Sequence, residues 1–344
     1  MKQTSGQVYH VTDAERGQTL AAFLRAKLGG VPWSRVQKLV RSRHVMIHGN
    51  VCTDEARRLK DGEVVKVLEA AAAPPPKPAD VRIVYIDDDV VVVDKPSGIT
   101  TTRHHEEASW PARRKQLQPT LDEMLPGIIS RALAGRSSRP PRGAKPGGRP
   151  VEPKKPSRSG PVYPVHRIDR ETSGLVVFAR TVPAGRILAE QFRLHTTQRR
   201  YLAVAVGRVG EGTIMSNLVR DRGDGRRGSK NPADASDPTE GKRAVTHVKP
   251  VEHFGDAYTL VECRLETGRT HQIRIHLAES GHPLCGERVY SAPRGTKAVD
   301  RSGAARVALQ AADLGFVHPK NGDEMHFESR LPPDIVALIT RLRM

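Results

Sequence analysis

The sequence predicts an α+β fold in two parts: a small N-terminal α/β domain and a larger domain with a mostly antiparallel mixed sheet. Two hairpin patterns predict the sheet, because pairs of apolar runs flank polar turns at Asp87–Asp89 and at residues 254–256. A stretch rich in proline and alanine, residues 71–80, is typical of a semi-stiff linker between domains. With 344 residues, the chain is long enough for two domains.

The larger domain is expected over residues 81–338. Continuous apolar runs predict buried strands at residues 174–180 and 199–207. Flexible insertions are expected at about 136–160 and 221–241, because these polar segments cannot bury enough apolar surface to order themselves. Helical patterns are predicted at residues 120–133, 184–195 and 269–281, the last of them closed by Gly281.

The N-terminal domain, residues 16–70, is basic, with eleven Lys/Arg and five Asp/Glu. Residues 19–28 place their apolar side chains on one face of a helix. A second helix is predicted over residues 33–45 with Ser34 as its N-cap, and short strands follow it. The outer face of this second helix fits phosphate binding better than simple solvation, and its cations include Arg35, Lys38 and Arg41.

The charge balance predicts a polyanionic partner. The formal net charge is +18 and the isoelectric point is near 10.2, which favours nucleic acid over the alternative, an anionic membrane surface. No run approaches the roughly 18 apolar residues of a membrane span, and no secretory signal is evident. The cysteines, Cys52, Cys263 and Cys285, lack zinc-like spacing and are expected to be reduced thiols of a cytoplasmic protein.

The stretch His166–Arg180, HRIDRETSGLVVFAR, places one carboxylate before a turn and a buried strand. Asp169 lies between Arg167 and Arg170, and nearby cations favour an ionised carboxylate. On the residues alone, Asp169 is a nucleophile, a general base or a partner in a structural ion pair.

A second polar stretch, residues 265–277, combines a tight turn at Gly268 with Thr270 as an expected helix N-cap. Arg269 and Arg274 can each bind a carboxylate or a phosphate with two hydrogen bonds. His271 and His276 are five residues apart, which is not zinc spacing, and no other cluster has ligand spacing. No metal is therefore expected. The sequence also lacks a P-loop and a dinucleotide glycine pattern.

Several blocks in order resemble the RluA-type pseudouridine synthases. The first is HRIDRETSGLVVFAR, and the others are residues 87–99, 199–207, 241–252, 265–290 and 311–322. The resemblance covers residues 81 to about 335 apart from the two insertions. Residues 34–41 and 45–49 resemble the S-four-type RNA-binding domain, which is named for a protein of the small ribosomal subunit.

The resemblance implies isomerisation of uridine in RNA to pseudouridine without a cofactor. It places the catalytic aspartate at Asp169, the paired arginine at Arg274 and the active-site tyrosine at Tyr201, whose own pattern leaves core packing and base stacking both open. Attack on C1′, attack on C6 and abstraction of the 2′ proton all remain open for Asp169. Further substrate or RNA contacts are expected at Arg167, Arg170, Thr172, Lys95, Arg269 and His271.

The expected partner is ribosomal RNA of the large subunit, with transfer RNA as the alternative, and a monomer is favoured. The basic insertion at 136–160 is either an RNA tether or an inert loop. Gln310 departs from the resemblance, since a histidine is usual there. Two other functions compete: a non-catalytic RNA-binding or ribosome-assembly factor, and a metal-free hydrolase that uses Asp169 with His166.

Overall fold

The structure of the chain is a computed structural model. It describes residues 7–47, 50–69, 71–72, 76–103, 107, 115, 118–137, 160–222, 227–229, 241–290 and 299–344. Its contacts divide the chain into one compact unit that ends at Pro75 and a second that comprises Pro76–Arg222 and Arg226–Met344. Most of the insertion predicted at 136–160 lies outside the described residues. None of the described helices is long and apolar enough to cross a membrane.

The first unit packs two helices on a four-stranded antiparallel sheet. Its elements are β1 (Gln7–His10), α1 (Leu20–Lys27), α2 (Trp33–Arg41), β2 (Val45–Ile47), β3 (Asn50–Val51) and β4 (Val64–Val67). The strand order is β1-β4-β2-β3. Strand β1 precedes the predicted start at residue 16, and it belongs to the unit because it pairs with β4 along its whole length.

Local sequence explains where the two helices begin. The Thr19 hydroxyl accepts a hydrogen bond from the Ala22 amide at 3.2 Å and caps α1. The predicted cap of α2 was wrong, because Pro32 is the N-cap residue and Ser34 already lies inside the helix. Helix α2 also ends at Arg41 rather than at residue 45, since Val45 begins a buried strand. The resemblance of this unit to the S-four-type domain stays a prediction.

The second unit is built on a large mixed sheet. Its elements are β5 (Arg82–Ile86), β6 (Val90–Lys95), α3 (Leu121–Ser137), β7 (Tyr163–Pro164), β8 (Ser173–Ala179), α4 (Val182–Arg193), β9 (Gln198–Val206), β10 (Gly212–Val219), β11 (Gly228–Ser229), β12 (Lys242–Phe254), β13 (Tyr258–Leu265), α5 (Gln272–Glu279), β14 (Leu309–Val317), β15 (Glu324–Glu328) and α6 (Pro333–Leu342).

The sheet order is β11-β10-β12-β13-β9-β14-β8-β6-β5, with β15 paired to β14 and β7 to β8. Among the described strands, the single parallel pairing joins β14 to β8. This arrangement confirms the predicted α+β fold with a mostly antiparallel mixed sheet. Both predicted hairpins are present as β5–β6 and β12–β13.

The apolar run of β8 is buried at every position because helices cover both faces of the sheet there. On one face, Val176 and Phe178 belong to a core that includes Leu121 of α3. On the other face, Val177 belongs to a core that includes Leu188 of α4. Full burial of one such side chain contributes roughly 1.5–3 kcal/mol, so the centre of the sheet is a rigid support for the turn before β8.

Part of the predicted insertion at 221–241 is ordered in the sheet. Gly228 and Ser229 pair with Val219 and Leu218 of β10. The Ser229 amide and hydroxyl donate to the Glu279 carboxylate at 2.9 and 2.5 Å. The expectation of an unstructured segment was therefore wrong at these residues, because two polar contacts to α5 replace the missing apolar burial.

Candidate active site

Asp169 lies in the turn that leads into β8. The Thr172 amide donates to the Asp169 carbonyl at 3.2 Å, and the Val177 amide donates to Nε2 of His166 at 3.0 Å. The His166 ring stacks on Phe192 of α4, with ring centroids 4.2 Å apart. Hydrogen bonds and ring stacking on both sides of Asp169 thus fix the backbone that carries the carboxylate.

The Thr-Ser-Gly turn brings β8 and β14 unusually close together. Gly174 has φ +114°, and a Cβ atom there would lie 2.2 Å from the Ala311 carbonyl oxygen. The Ser173 hydroxyl donates to Oε1 of Gln310 at 2.5 Å, and Nε2 of Gln310 donates to Ser329 at 2.9 Å. Gln310, the departure from the family resemblance, therefore connects the turn to the segment after β15.

Lys95 is a correction to the predicted RNA contacts. Its side chain is fully buried, so its ammonium group cannot reach an RNA phosphate in this structure. Instead, Nζ donates to the carbonyls of Pro96, Ile99 and Arg170 at 3.1, 2.9 and 3.2 Å. Lys95 therefore holds the backbone beside Asp169 against the end of β6. Burial lowers the pKa of Lys95 to about 7.

A cavity of about 450 Å³ opens beside this turn. Asp169 is the only carboxylate among the described residues that line it. Tyr201 of β9 forms part of the wall and is buried, and burial raises the pKa of its hydroxyl to about 12. Tyr201 is therefore protonated at neutral pH, which suits contact with a base better than acceptance of a proton.

Two side chains from the start of α5 face the two oxygens of Asp169. Nη1 of Arg274 lies 3.8 Å from Oδ2, and Nε2 of His271 lies 3.9 Å from Oδ1. His271, rather than the predicted Thr270, is the N-cap residue of α5, and its φ of +60° is rare for a residue with a side chain. Both distances exceed those of a hydrogen bond, so the contacts with Asp169 are electrostatic.

The closest partner of Arg274 is a residue that sequence reasoning missed. Glu287 accepts hydrogen bonds from Nε and Nη2 of Arg274 at 2.7 and 2.8 Å, and its own side chain is 1% exposed. Tyr290 contacts Nδ1 of His271 through its hydroxyl at 2.7 Å. Both residues lie in GERVY, residues 286–290, at the end of the block 265–290 that resembles the family, and that position was the sequence signal for them.

The remaining predicted contacts differ in their access to RNA. Arg167 and Arg269 line the cavity, and Arg269 also donates to the Arg243 carbonyl at 3.1 Å. Arg170 donates to the Gly98 carbonyl at 3.1 Å, and Thr172 is buried at the cavity wall. In the first unit, Arg35, Lys38 and Arg41 are exposed, and Arg41 pairs with Glu55 at 2.9 Å.

One cluster within the described ranges has metal-ligand geometry, and it comprises Asp313, His326 and Glu328. None of the three lines the cavity. Asp313 already contacts Arg200 at 3.5 Å and His326 at 2.8 Å, and a cation beside the guanidinium would be repelled. The prediction that the reaction uses no metal stays a prediction.

The described residues form an α+β domain in which Asp169, the one carboxylate they contribute to the cavity wall, faces Arg274. Residues 137–279 match the family model described as RNA pseudouridylate synthase. Ribosomal large subunit pseudouridine synthase D of Neisseria meningitidis serogroup A is 44% identical over 186 residues, which are 52% of this chain and 48% of that protein. Residues 137–279 of this chain are thus similar to the RNA pseudouridylate synthase family.

Other comparisons agree on the fold. The uncharacterized RNA pseudouridine synthase YlyB of Bacillus subtilis is 43% identical over 181 residues, which are 52% of this chain and 55% of that protein. This chain thus spans about half the length of the curated relatives it matches. Human RNA Pseudouridylate Synthase Domain Containing 4 has a similar structure, with a TM-score of 0.54 and 21% identity over 76% of this chain and 93% of its own.

Proposed function

We propose that the protein is an RNA pseudouridine synthase that isomerises specific uridines, with large-subunit ribosomal RNA as substrate and transfer RNA as the alternative. The observation that carries the proposal is the geometry at Asp169, which is the one carboxylate that the described residues place at the cavity wall and which lies opposite Arg274 in a family-matched segment. The chain covers about half of the relatives that are named for this activity on the large subunit.

The reaction needs one well-placed carboxylate and no redox step. The C1′–N1 bond of uridine breaks, the uracil turns, and a C1′–C5 bond forms while C5 loses a proton and N1 gains one. Asp169 supports this by attack on C1′, by attack on C6 or by removal of the 2′ proton. Arg274 supplies positive charge opposite the carboxylate, and Tyr201 offers an aromatic ring to the base.

Surface charge next to the cavity supports RNA as the substrate. A second cavity, of about 750 Å³, shares Gly268, Arg269 and Thr270 with the first. Its wall also carries three further cations, Arg220, Arg227 and Lys242. Extrusion of a uridine from folded RNA costs a few kcal/mol, which phosphate contacts along such a wall offset. The insertion at 136–160 would add a tether, although most of it lies outside the described residues.

The hydrolase alternative is not favoured by the geometry of His166. Its Nε2 accepts the Val177 amide, and burial lowers its pKa to about 3, so the imidazole is neutral and occupied. A cytoplasmic site of action belongs to the proposal, and it is supported by Cys52, Cys263 and Cys285, which are all free and buried.

The test is nucleotide-resolution mapping of pseudouridine in total RNA from cells with the wild-type gene, with the gene deleted and with Asp169→Asn. We expect the same uridines to lose modification in the two altered strains. Asp256→Asn is the matched control, because the Asp256 side chain is 93% exposed on the surface. Conversion of a labelled RNA by purified protein, with mass retained and no uracil released, separates isomerisation from hydrolysis. Unchanged modification at every site, together with an inactive purified protein, would refute the proposal.

A further inference from the structure

The segment Gly286–Tyr290 lies behind both side chains that face Asp169. Glu287 from this segment binds Arg274, and Tyr290 binds His271. Arg274 and His271 in turn face different oxygens of the Asp169 carboxylate. One short stretch of chain thus contacts both electrostatic partners of the catalytic aspartate without lining the cavity itself.

Glu287 restricts the orientation of the Arg274 guanidinium. Its carboxylate accepts hydrogen bonds from Nε and Nη2 of Arg274 at 2.7 and 2.8 Å, which leaves Nη1 as the nitrogen that faces Asp169. The carboxylate is itself fixed, because Oε1 accepts the amides of Arg288 and Val289 at 2.9 and 2.8 Å. Burial opposes ionisation of Glu287, but the hydrogen bonds and charge of Arg274 together with the backbone amides outweigh burial and lower the pKa of Glu287. A charged, planar pair is therefore held in one geometry.

The hydroxyl of Tyr290 contacts one ring nitrogen of His271 and leaves the other facing Asp169. The Tyr290 hydroxyl lies 2.7 Å from Nδ1 of His271, and burial raises its pKa, so the hydroxyl keeps a proton that it can donate to Nδ1. The neutral imidazole then carries its own proton on Nε2, the nitrogen that faces Oδ1 of Asp169. The guanidinium carbon of Arg274 also lies 5.3 Å from the centre of the Tyr290 ring.

We propose that Glu287 and Tyr290 are positioning residues, which hold Arg274 and His271 so that one N–H donor is directed at each oxygen of Asp169. The left-handed backbone of His271, φ +60°, is consistent with this, because such strain persists where surrounding contacts enforce it. The inference rests on the proposed function for its kinetic consequences. Its consequence for the His271 tautomer is independent of that function.

The kinetic test uses single turnover, with enzyme in saturating excess over a substrate RNA that the wild type converts. Under these conditions the rate constant does not depend on the fraction of folded protein, so a merely structural role would not change it. We expect Glu287→Gln to lower the rate constant by about 10–100-fold, the range found when outer partners of metal ligands are removed. Tyr290→Phe should lower it by about 3–10-fold, the equivalent of one neutral hydrogen bond.

A double-mutant cycle identifies the route of the effect. In an Arg274→Gln background, the Glu287→Gln change should alter the rate constant by less than about twofold, because the group that Glu287 orients is gone. RNA affinity should be unchanged in Glu287→Gln, since Glu287 does not line the cavity. Equal losses in both backgrounds would overturn the inference. If Glu287→Gln fails to fold alone, the rate constant is compared between Arg274→Gln and the double variant Arg274→Gln/Glu287→Gln. Glu287→Asp, which keeps the charge, is measured as well and should retain part of the wild-type rate.

Histidine ¹⁵N NMR gives a readout that does not need activity. The His271 signals, assigned from a His271→Gln spectrum, should show the Nε2–H tautomer in the wild type and a mixture in Tyr290→Phe. An inactive wild type with this tautomer would refute the proposed function and leave the positioning of His271 standing. A wild type with the Nδ1–H tautomer would overturn the role of Tyr290 whatever its activity.

Discussion

Stability should fall in mild acid because of one histidine beside the candidate active site. Nε2 of His166 accepts the Val177 amide, so protonation of this nitrogen breaks a hydrogen bond and places a charge against β8. Burial lowers the pKa of His166 to about 3, below the value near 6.5 of an unfolded histidine. The unfolded chain therefore takes up a proton that the folded chain refuses, and stability is lost as pH falls from about 6.5 towards 3.

The magnitude follows from linkage. At pH 5 the unfolded histidine is almost fully protonated while the folded one is not, which costs about 1.36 kcal/mol for each of the 1.5 units below 6.5. At pH 7 the corresponding cost is only a few tenths of a kcal/mol. We therefore expect this residue alone to remove about 2 kcal/mol between pH 7 and pH 5. That figure is insensitive to a folded-state pKa anywhere below about 4, because the unfolded state dominates the difference.

The assay is urea unfolding of the wild type and of His166→Gln at pH 7 and pH 5. The glutamine amide oxygen can accept the same Val177 amide without titrating, so the variant should lose about 2 kcal/mol less than the wild type over this range. His10→Gln, at an exposed position on β1, serves as the control and should follow the wild type. Parallel losses in wild type and His166→Gln, within about 0.5 kcal/mol, would refute the reasoning that folding requires a neutral His166.

Three further predictions concern the turn before β8 and the surface of the first unit. Gly174→Ala should lower the free energy of unfolding by about 3–5 kcal/mol. Gly210→Ala, where a Cβ meets nothing within 4 Å, should change it by no more than about 0.5 kcal/mol. Relative to Lys95→Met, the wild type should gain about 2 kcal/mol from pH 7 to pH 9, because the unfolded lysine still binds the proton that the folded one releases above its pKa of about 7; equal pH dependence would contradict this. Alanine at Arg35 or Lys38 should reduce the slope of log affinity against log salt by about 0.7 for single-stranded RNA, and an unchanged slope would remove α2 from the interface.

The strands were predictable where local pattern and burial agree. The run from Gly174 to Ala179 is apolar at each position, and helices cover both faces of the sheet at this point. The short strands β1 and β11 were not predicted, because each gains its place from pairing with another strand rather than from its own periodicity. Ser34 was a reasonable cap by residue type, but Pro32 lies at the N-cap and begins the helix.

The candidate site was predictable from the sequence for residues whose type indicates their role, but not for residues whose role depends on burial. Arg274 lies opposite Asp169 as the resemblance implied, and His271, which was expected only as a substrate or RNA contact, lies opposite the other carboxylate oxygen. Lys95 was wrong as an RNA contact, since the letters of a turn do not reveal that a cation is surrounded by three carbonyls. Glu287 was missed for the same reason: its function depends on burial against Arg274, thirteen residues earlier.

Strand register explains how distant segments meet at one cavity. Ala311 of β14 lies opposite Gly174 of β8 on one side and opposite Tyr201 of β9 on the other. The turn that carries Asp169 is therefore connected to Tyr201 through one residue of the strand between them. A slip of one residue in either pairing would turn Tyr201 to the opposite face of the sheet. The close approach at Gly174 prevents such a slip, because only a residue without a Cβ fits 2.2 Å from the Ala311 carbonyl. Gly174 thus fixes the strand register that keeps the Asp169 carboxylate and the Tyr201 ring on one side of the sheet.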